Sequence, residues 1–150
     1  MTQQHINHDE EQAETATTLA WAPLRWTAPV AVLAAATAVG ILFVVMEAVG
    51  AFPSTVTIPP ASQPLTLSTA VGTAIVSAVG GCLVFAALTR VTASPIKQFR
   101  RIASGVLVLS FVTPFTIPGA PVAMIASLLF LHVVVAGVVV GTLTYRGTAE

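Results

Sequence analysis

Two ionisable side chains, Glu47 and His132, stand inside long apolar stretches of this chain. Ionisable groups are costly in a membrane, so they are functional candidates for moving protons or holding a polar ligand. At the helical rise per residue, Glu47 lies ~6 Å and His132 ~15 Å below the same membrane boundary, on helices of opposite direction. Because helical side chains tilt toward the N-terminus, the two lean toward each other. We hypothesise that the pair forms an intramembrane polar site.

A simpler interpretation treats the two residues separately. His132 would bond to a serine, a threonine or a carbonyl on another helix, and Glu47 would reach the outer headgroups. The sequence leaves both interpretations open.

Other chemically active groups do not assemble into a recognisable active site. We find no nucleophile–histidine–acid set, no glycine-rich phosphate loop and no metal-ligand cluster, so we expect no enzyme, no metal and no cofactor. His5 and His8 are spaced for a metal but lack a third ligand nearby, and Cys82 has no second cysteine. We interpret Cys82 as a small packing residue and Ser104 and Ser110 as helix-packing hydroxyls.

The composition indicates lipid as the main solvent. Hydrophobic residues make up 55% of the 150 residues and charged residues 8%, against about 25% charged in soluble domains. The net charge is zero, so no basic surface is available for nucleic acid. We therefore expect the chain to have the lipid bilayer as a binding partner.

The hydrophobic pattern predicts an all-α membrane protein, a four-helix transmembrane bundle over residues 25–150. Residues 1–24 are acidic and poor in large apolar residues, which predicts a disordered cytoplasmic tail. The helix of the third span begins before the span itself, with Ser94 as a capping hydroxyl and Pro95 at the first helical position. It meets Pro114, where a helix must kink or stop. The predicted spans are 27–51, 65–88, 99–117 and 122–144.

The basic residues predict the orientation. With four spans they all lie on one side, and the loops 52–64 and 116–121 carry none. The positive-inside rule then places both termini in the cytoplasm of a multi-pass plasma-membrane protein. Lys97, Arg100 and Arg101 form a cytoplasmic basic patch, either a plain topology determinant or a site for anionic lipid headgroups. The remaining basic residues are Arg25, Arg90 and Arg146.

Small residues recur at helical spacing in three of the spans. Such stripes let two backbones approach closely, so they predict helix-packing seams. They favour a homo-oligomer or a subunit of a larger membrane complex. The seam residues are Ala36 and Gly40 in the first span, Thr73, Ser77 and Gly81 in the second, and Gly137 and Gly141 in the fourth.

Four features of the chain carry a family resemblance. They are the helix count, the alanine-rich first span, the Thr-Ile-Pro-Gly-Ala turn at 116–120 and the Leu-His-Val-Val-Val-Ala-Gly run at 131–137. Residues 25–146 resemble an uncharacterised family of small four-helix membrane proteins found in high-GC bacteria. The resemblance implies the fold and no activity. Two classes of function remain open: a structural or accessory membrane subunit, and a minimal proton- or ion-coupled transporter that works as an oligomer around Glu47.

Overall fold

The computed structural model of the protein describes residues 24–53, 56–58 and 63–145. The predicted tail up to residue 23, with His5 and His8, lies outside the described residues, as does Arg146. The described helices are α1 (Leu24–Ala48), α2 (Leu67–Val91), α3 (Pro95–Ser110), α4 (Val112–Phe115) and α5 (Val122–Tyr145). Between α1 and α2, β1 (Thr57–Ile58) pairs antiparallel with β2 (Gln63–Pro64).

Three of these helices are long and apolar enough to cross a membrane. They are Trp26–Ala48, Leu67–Val91 and Val122–Tyr145, with mean hydropathy of 2.5, 2.2 and 2.6. The predicted helices are confirmed for these three segments, each of which could span a membrane. Helix α3 has 16 residues and carries three cations in its first half, so it does not meet the same standard of length and hydropathy.

The third predicted span is interrupted just before Pro114. The proline has no N–H to donate to the Ser110 carbonyl, and its ring crowds that carbonyl. Helix α3 accordingly ends at Ser110, and the Phe111 N–H donates to the Leu107 and Val108 carbonyls at 3.3 and 3.2 Å. The single turn of α4 then ends with Thr116 as its C-cap residue. The chain therefore kinks after Ser110 and stops being helical at Phe115.

The ends of the helices follow their local sequence. Thr66 caps α2 by accepting the Thr69 N–H at 3.3 Å. Helix α3 does begin at Pro95, but the Ser94 side chain makes no capping hydrogen bond. After α1, Gly50 takes a φ of 77°, a left-handed conformation that glycine adopts without a steric cost.

Helix α1 packs mainly against α2 and α5. Every fourth residue of α1 from Thr27 to Phe43 is buried, which forms one stripe along the helix. Ala31, Ala35 and Ala78 are fully buried, because small side chains allow the three helix backbones to approach closely.

The buried residues form three layers along the bundle. At one end Phe85, Phe99 and Leu143 pack with the small residues of α1 and α2; we call it the basic end, since Lys97 and Arg100 are close in sequence to Phe99. The middle layer holds Val39, Ala74 and Leu131. The opposite layer, which we call the loop end, holds Val56, Ile117 and Met124. Residues 95–117 therefore run from one end of the bundle to the other.

Candidate functional site

Glu47 and His132 are not brought together. Ser127 donates a hydrogen bond to the Met46 sulfur at 3.5 Å, so Glu47 lies near the level of Ser127. His132 is five residues further along α5, ~8 Å deeper in the bundle at the helical rise per residue. Glu47 is exposed, and the described residues contain no hydrogen bond or ion pair between the two side chains.

The imidazole of His132 bonds to its own helix. Its Nδ1 lies 2.6 Å from the Leu128 carbonyl oxygen, one turn earlier in α5. A carbonyl oxygen only accepts, so Nδ1 carries the proton of this hydrogen bond. In the neutral ring Nε2 is then an acceptor.

His132 lines a partly open cleft between α2, α3 and α5. The cleft has a volume of about 470 Å³, and Val39 of α1 contributes to its wall. Its lining is almost entirely aliphatic, with Phe99 as its aromatic member. A cavity of this kind with a few polar groups is the usual form of a small-molecule site, for which about 300–1,000 Å³ is typical.

Four polar side chains line the cleft; three lie near one level, and the fourth, Ser77, is one turn away. Phe85, Phe99 and Leu143 pack together at the basic end. Eleven residues from each of them, in the direction of the loop end, are Ala74, Ser110 and His132. Equal counts along helices correspond to equal depths, ~16 Å from that end. Thr73 is adjacent to Ala74, and Ser77 is one turn away. The polar lining residues are Thr73, Ser77, Ser110 and His132.

Two of these hydroxyls already donate their hydrogen. Thr73 donates to the Thr69 carbonyl at 2.8 Å, and Ser110 donates to the Leu107 carbonyl at 2.7 Å. Each oxygen retains lone pairs that can accept. Together with Nε2 of His132, they give the cleft a polar level that is mainly composed of acceptors.

The predicted seam residues divide into two groups. At Gly40 an added Cβ would lie 3.7 Å from Val71, and at Gly81 it would lie 3.0 Å from Val139, so both serve packing inside the bundle. Gly137 and Gly141 are exposed, and an added Cβ at either would have no neighbour within 4 Å.

The other predicted residues also have defined positions. Ala36 is half-buried on α1, whereas Thr73 and Ser77 line the cleft. Cys82 is buried, with its sulfur 3.9 Å from the Ala28 carbonyl oxygen. In the part of the chain that the structure describes, no group of three His, Cys, Asp or Glu side chains is placed to hold a metal.

The basic patch lies on the first turns of α3. Lys97, Arg100 and Arg101 are all exposed. Arg100 donates to the Thr144 hydroxyl at 3.3 Å, and that hydroxyl donates in turn to the Val140 carbonyl at 2.8 Å. These bonds link the start of α3 to the last turn of α5.

Comparison with known families places these features in a family. The family model of DUF6069 matches residues 19–149, nearly the whole chain. The chain belongs to DUF6069, a family of unknown function. This confirms the predicted resemblance to an uncharacterised family, and the high-GC bacterial origin stays a prediction. No curated protein and no solved structure matches the chain.

The cleft was only partly visible in the sequence. The sequence marks His132 as the one ionisable group of its span, but its pattern predicts that Ser110 and Thr73 are packing residues. Polar residues on three separate helices are linked only when the helix neighbours are known. The available signal was that each of these spans carries a hydroxyl or imidazole near its middle.

Proposed function

We propose that this chain is a non-catalytic accessory subunit of the plasma membrane, which packs through the exposed glycine face of α5 against a second copy of itself or against a larger membrane complex. We define this glycine face by Gly137 and Gly141. The observation that carries the proposal is the open space at both residues, where an added Cβ has no neighbour within 4 Å.

Glycine on a lipid-facing surface needs a reason. It lowers the stability of a helix interior by about 1 kcal/mol relative to alanine. Between membrane helices, close backbone contact at small residues replaces the hydrophobic effect as the driving force for association. Gly137 and Gly141 bring no such gain within one chain, whereas a neighbouring helix from another chain would recover it.

The proposal includes the orientation of the bundle. Helices α3 and α4 together form a fourth crossing, and both termini lie in the cytoplasm. Support comes from the path of residues 95–117 between the two ends of the bundle. The cations at the start of α3 would then lie among the inner headgroups, where each contributes about 1 kcal/mol to the electrostatic attraction between the chain and anionic lipid.

The transporter alternative has no comparable support. It requires Glu47 on a path for protons or ions, and Glu47 lies on the exposed surface of α1 and outside the cleft.

The packing proposal is tested by replacing both glycines with leucine, Gly137→Leu with Gly141→Leu, in the full chain. Native mass spectrometry of the protein, extracted from membranes in a mild detergent, reads the mass of each assembly. We expect the wild-type chain of 15.4 kDa to appear as an oligomer or with a partner chain. The double variant should release the monomer, because leucine side chains separate the helices.

The matched control is Gly72→Leu on α2, another exposed glycine with open space around it. It adds the same side chain to the lipid-facing surface outside the glycine face, and the assembly should persist. A wild-type chain that appears only as the monomer would contradict the proposal, and so would an assembly that survives the double substitution.

A further inference from the structure

We propose that the cleft between α2, α3 and α5 binds an uncharged membrane lipid with a hydroxyl donor on an apolar body, and that a quinol matches it best. The lipid would place its hydroxyl at Ser110 and His132 and its apolar tail along the aliphatic walls. This ligand site is independent of the packing role proposed above.

The charge of the cleft selects against an ionic ligand. Its lining residues include no Asp, Glu, Lys or Arg among the described residues. A charged headgroup buried there would lack a counter-charge, which is strongly unfavourable in an apolar surrounding. The cations of α3 lie at the basic end, about 16 Å from the polar level at the helical rise per residue. The part of an occupant that lies at the polar level is therefore uncharged.

The hydrogen-bonding groups select for a donor. Thr73 and Ser110 use their hydrogens on backbone carbonyls of their own helices. Nδ1 of His132 uses its hydrogen on Leu128, which leaves Nε2 to accept. Only Ser77, one turn away, retains a hydrogen to donate among the four polar residues. An O–H group on the ligand satisfies these acceptors, whereas a carbonyl at the same place would face lone pairs.

The shape fits a flat or elongated apolar molecule. The lining extends along the bundle from Leu65, just before α2, to Phe99 near the start of α3, and the volume of about 470 Å³ lies within the range of small-molecule sites. A quinol combines an apolar ring, an isoprenoid or alkyl tail and hydroxyl donors near the middle of the bilayer.

The cleft and the glycine face point in different directions. At 100° per residue, Gly137 and Gly141 lie about 140° and 180° around α5 from His132. A partner seated on the glycine face therefore leaves the cleft accessible. Failure of one proposal does not imply failure of the other.

The sharpest test compares two forms of one molecule. Decylubiquinol and decylubiquinone share their ring substituents and tail, but the first has two O–H donors and the second has two carbonyl acceptors. We would measure the Kd of each for the full chain in lipid nanodiscs by isothermal titration calorimetry, with the quinol kept reduced under anaerobic conditions. We expect the quinol to bind at least about tenfold more tightly, because a site of acceptors rejects an analogue without donors.

Matched variants locate the binding in the cleft. Ser110→Ala and His132→Leu should each weaken quinol binding about fivefold or more, since each removes one acceptor. Ser104→Ala is the control, because Ser104 is exposed on the same helix and outside the cleft lining. It should leave the Kd unchanged. Ser110→Ala removes a single oxygen, so it keeps the test valid even where His132→Leu lowers stability.

Three outcomes would overturn the proposal. The first is equal affinity for the quinol and the quinone, and the second is an unchanged Kd in both cleft variants. The third is the absence of quinol binding to the full chain; a cross-link from a second chain to Ala103→Cys would then show that a protein helix fills the cleft instead.

Discussion

Replacing Phe43 with alanine should destabilise the bundle by about 3 kcal/mol, the lower part of the range for Phe→Ala in protein cores. Phe43 is fully buried, and its ring stacks on Phe52 with 4.9 Å between centroids and 11° between planes. In lipid the transfer term of this loss is small, but the cavity and the lost dispersion contacts remain. The loop after α1 should also lose its attachment, because Phe52 loses its stacking partner.

The measurement is unfolding in mixed detergent and dodecyl sulfate micelles, followed by far-ultraviolet circular dichroism. Phe115→Ala is the matched control, since Phe115 is 65% exposed and its removal leaves no internal cavity. We expect its unfolding midpoint to stay within error of the wild type. Equal shifts for the two variants would show that Phe43 does not form part of a packed interior.

Enlarging Ala35 to leucine should be comparably damaging for the opposite reason. Ala35 is fully buried in the layer at the basic end, together with Ala31 and Ala78. Three added carbon atoms have no space there, so α1 must move away from its neighbours. Overpacking of this kind costs about 1–3 kcal/mol, and we expect the upper end because the backbones are close.

The same unfolding assay measures this effect, and Ala48→Leu provides the control with an identical change on an exposed part of α1. Circular dichroism should show the helical content of both variants unchanged before unfolding. If the Ala35→Leu variant unfolded at the same midpoint as the wild type, α1 would not be packed closely against α2 and α5.

Much of the fold could be predicted from hydropathy and proline chemistry. Lipid-soluble helices need about 20 apolar residues, so α1, α2 and α5 are visible as uninterrupted runs. Pro114 predicts the interruption of the third span, since its effect on the Ser110 carbonyl is local. The missing cap at Ser94 shows the limit of such rules, because a side-chain rotamer responds to its surroundings and not to the sequence alone.

The site was harder to predict because it depends on how each helix is rotated about its axis. The depths of Glu47 and His132 follow from residue counts, and the structure places them ~8 Å apart along the bundle. Glu47 is four residues after Phe43 and continues the α1 stripe, but the burial of that stripe ends at Phe43, so Glu47 is exposed. The same periodicity made Gly81 and Gly137 look alike, although only Gly81 contacts another helix of its own chain.

The most direct test of the account is the sidedness of three positions, because the proposed orientation of the bundle depends on a fourth crossing by α3 and α4, and α3 also forms one wall of the cleft. Single cysteines would be introduced in a Cys82→Ala background at Thr57, Ser94 and Thr116, all exposed. A membrane-impermeant maleimide applied to intact cells should label Thr57→Cys and Thr116→Cys, and should label Ser94→Cys only after permeabilisation. Labelling of Ser94→Cys and Thr116→Cys from the same side would contradict the four-crossing bundle, and labelling of Ser94→Cys alone in intact cells would reverse its orientation.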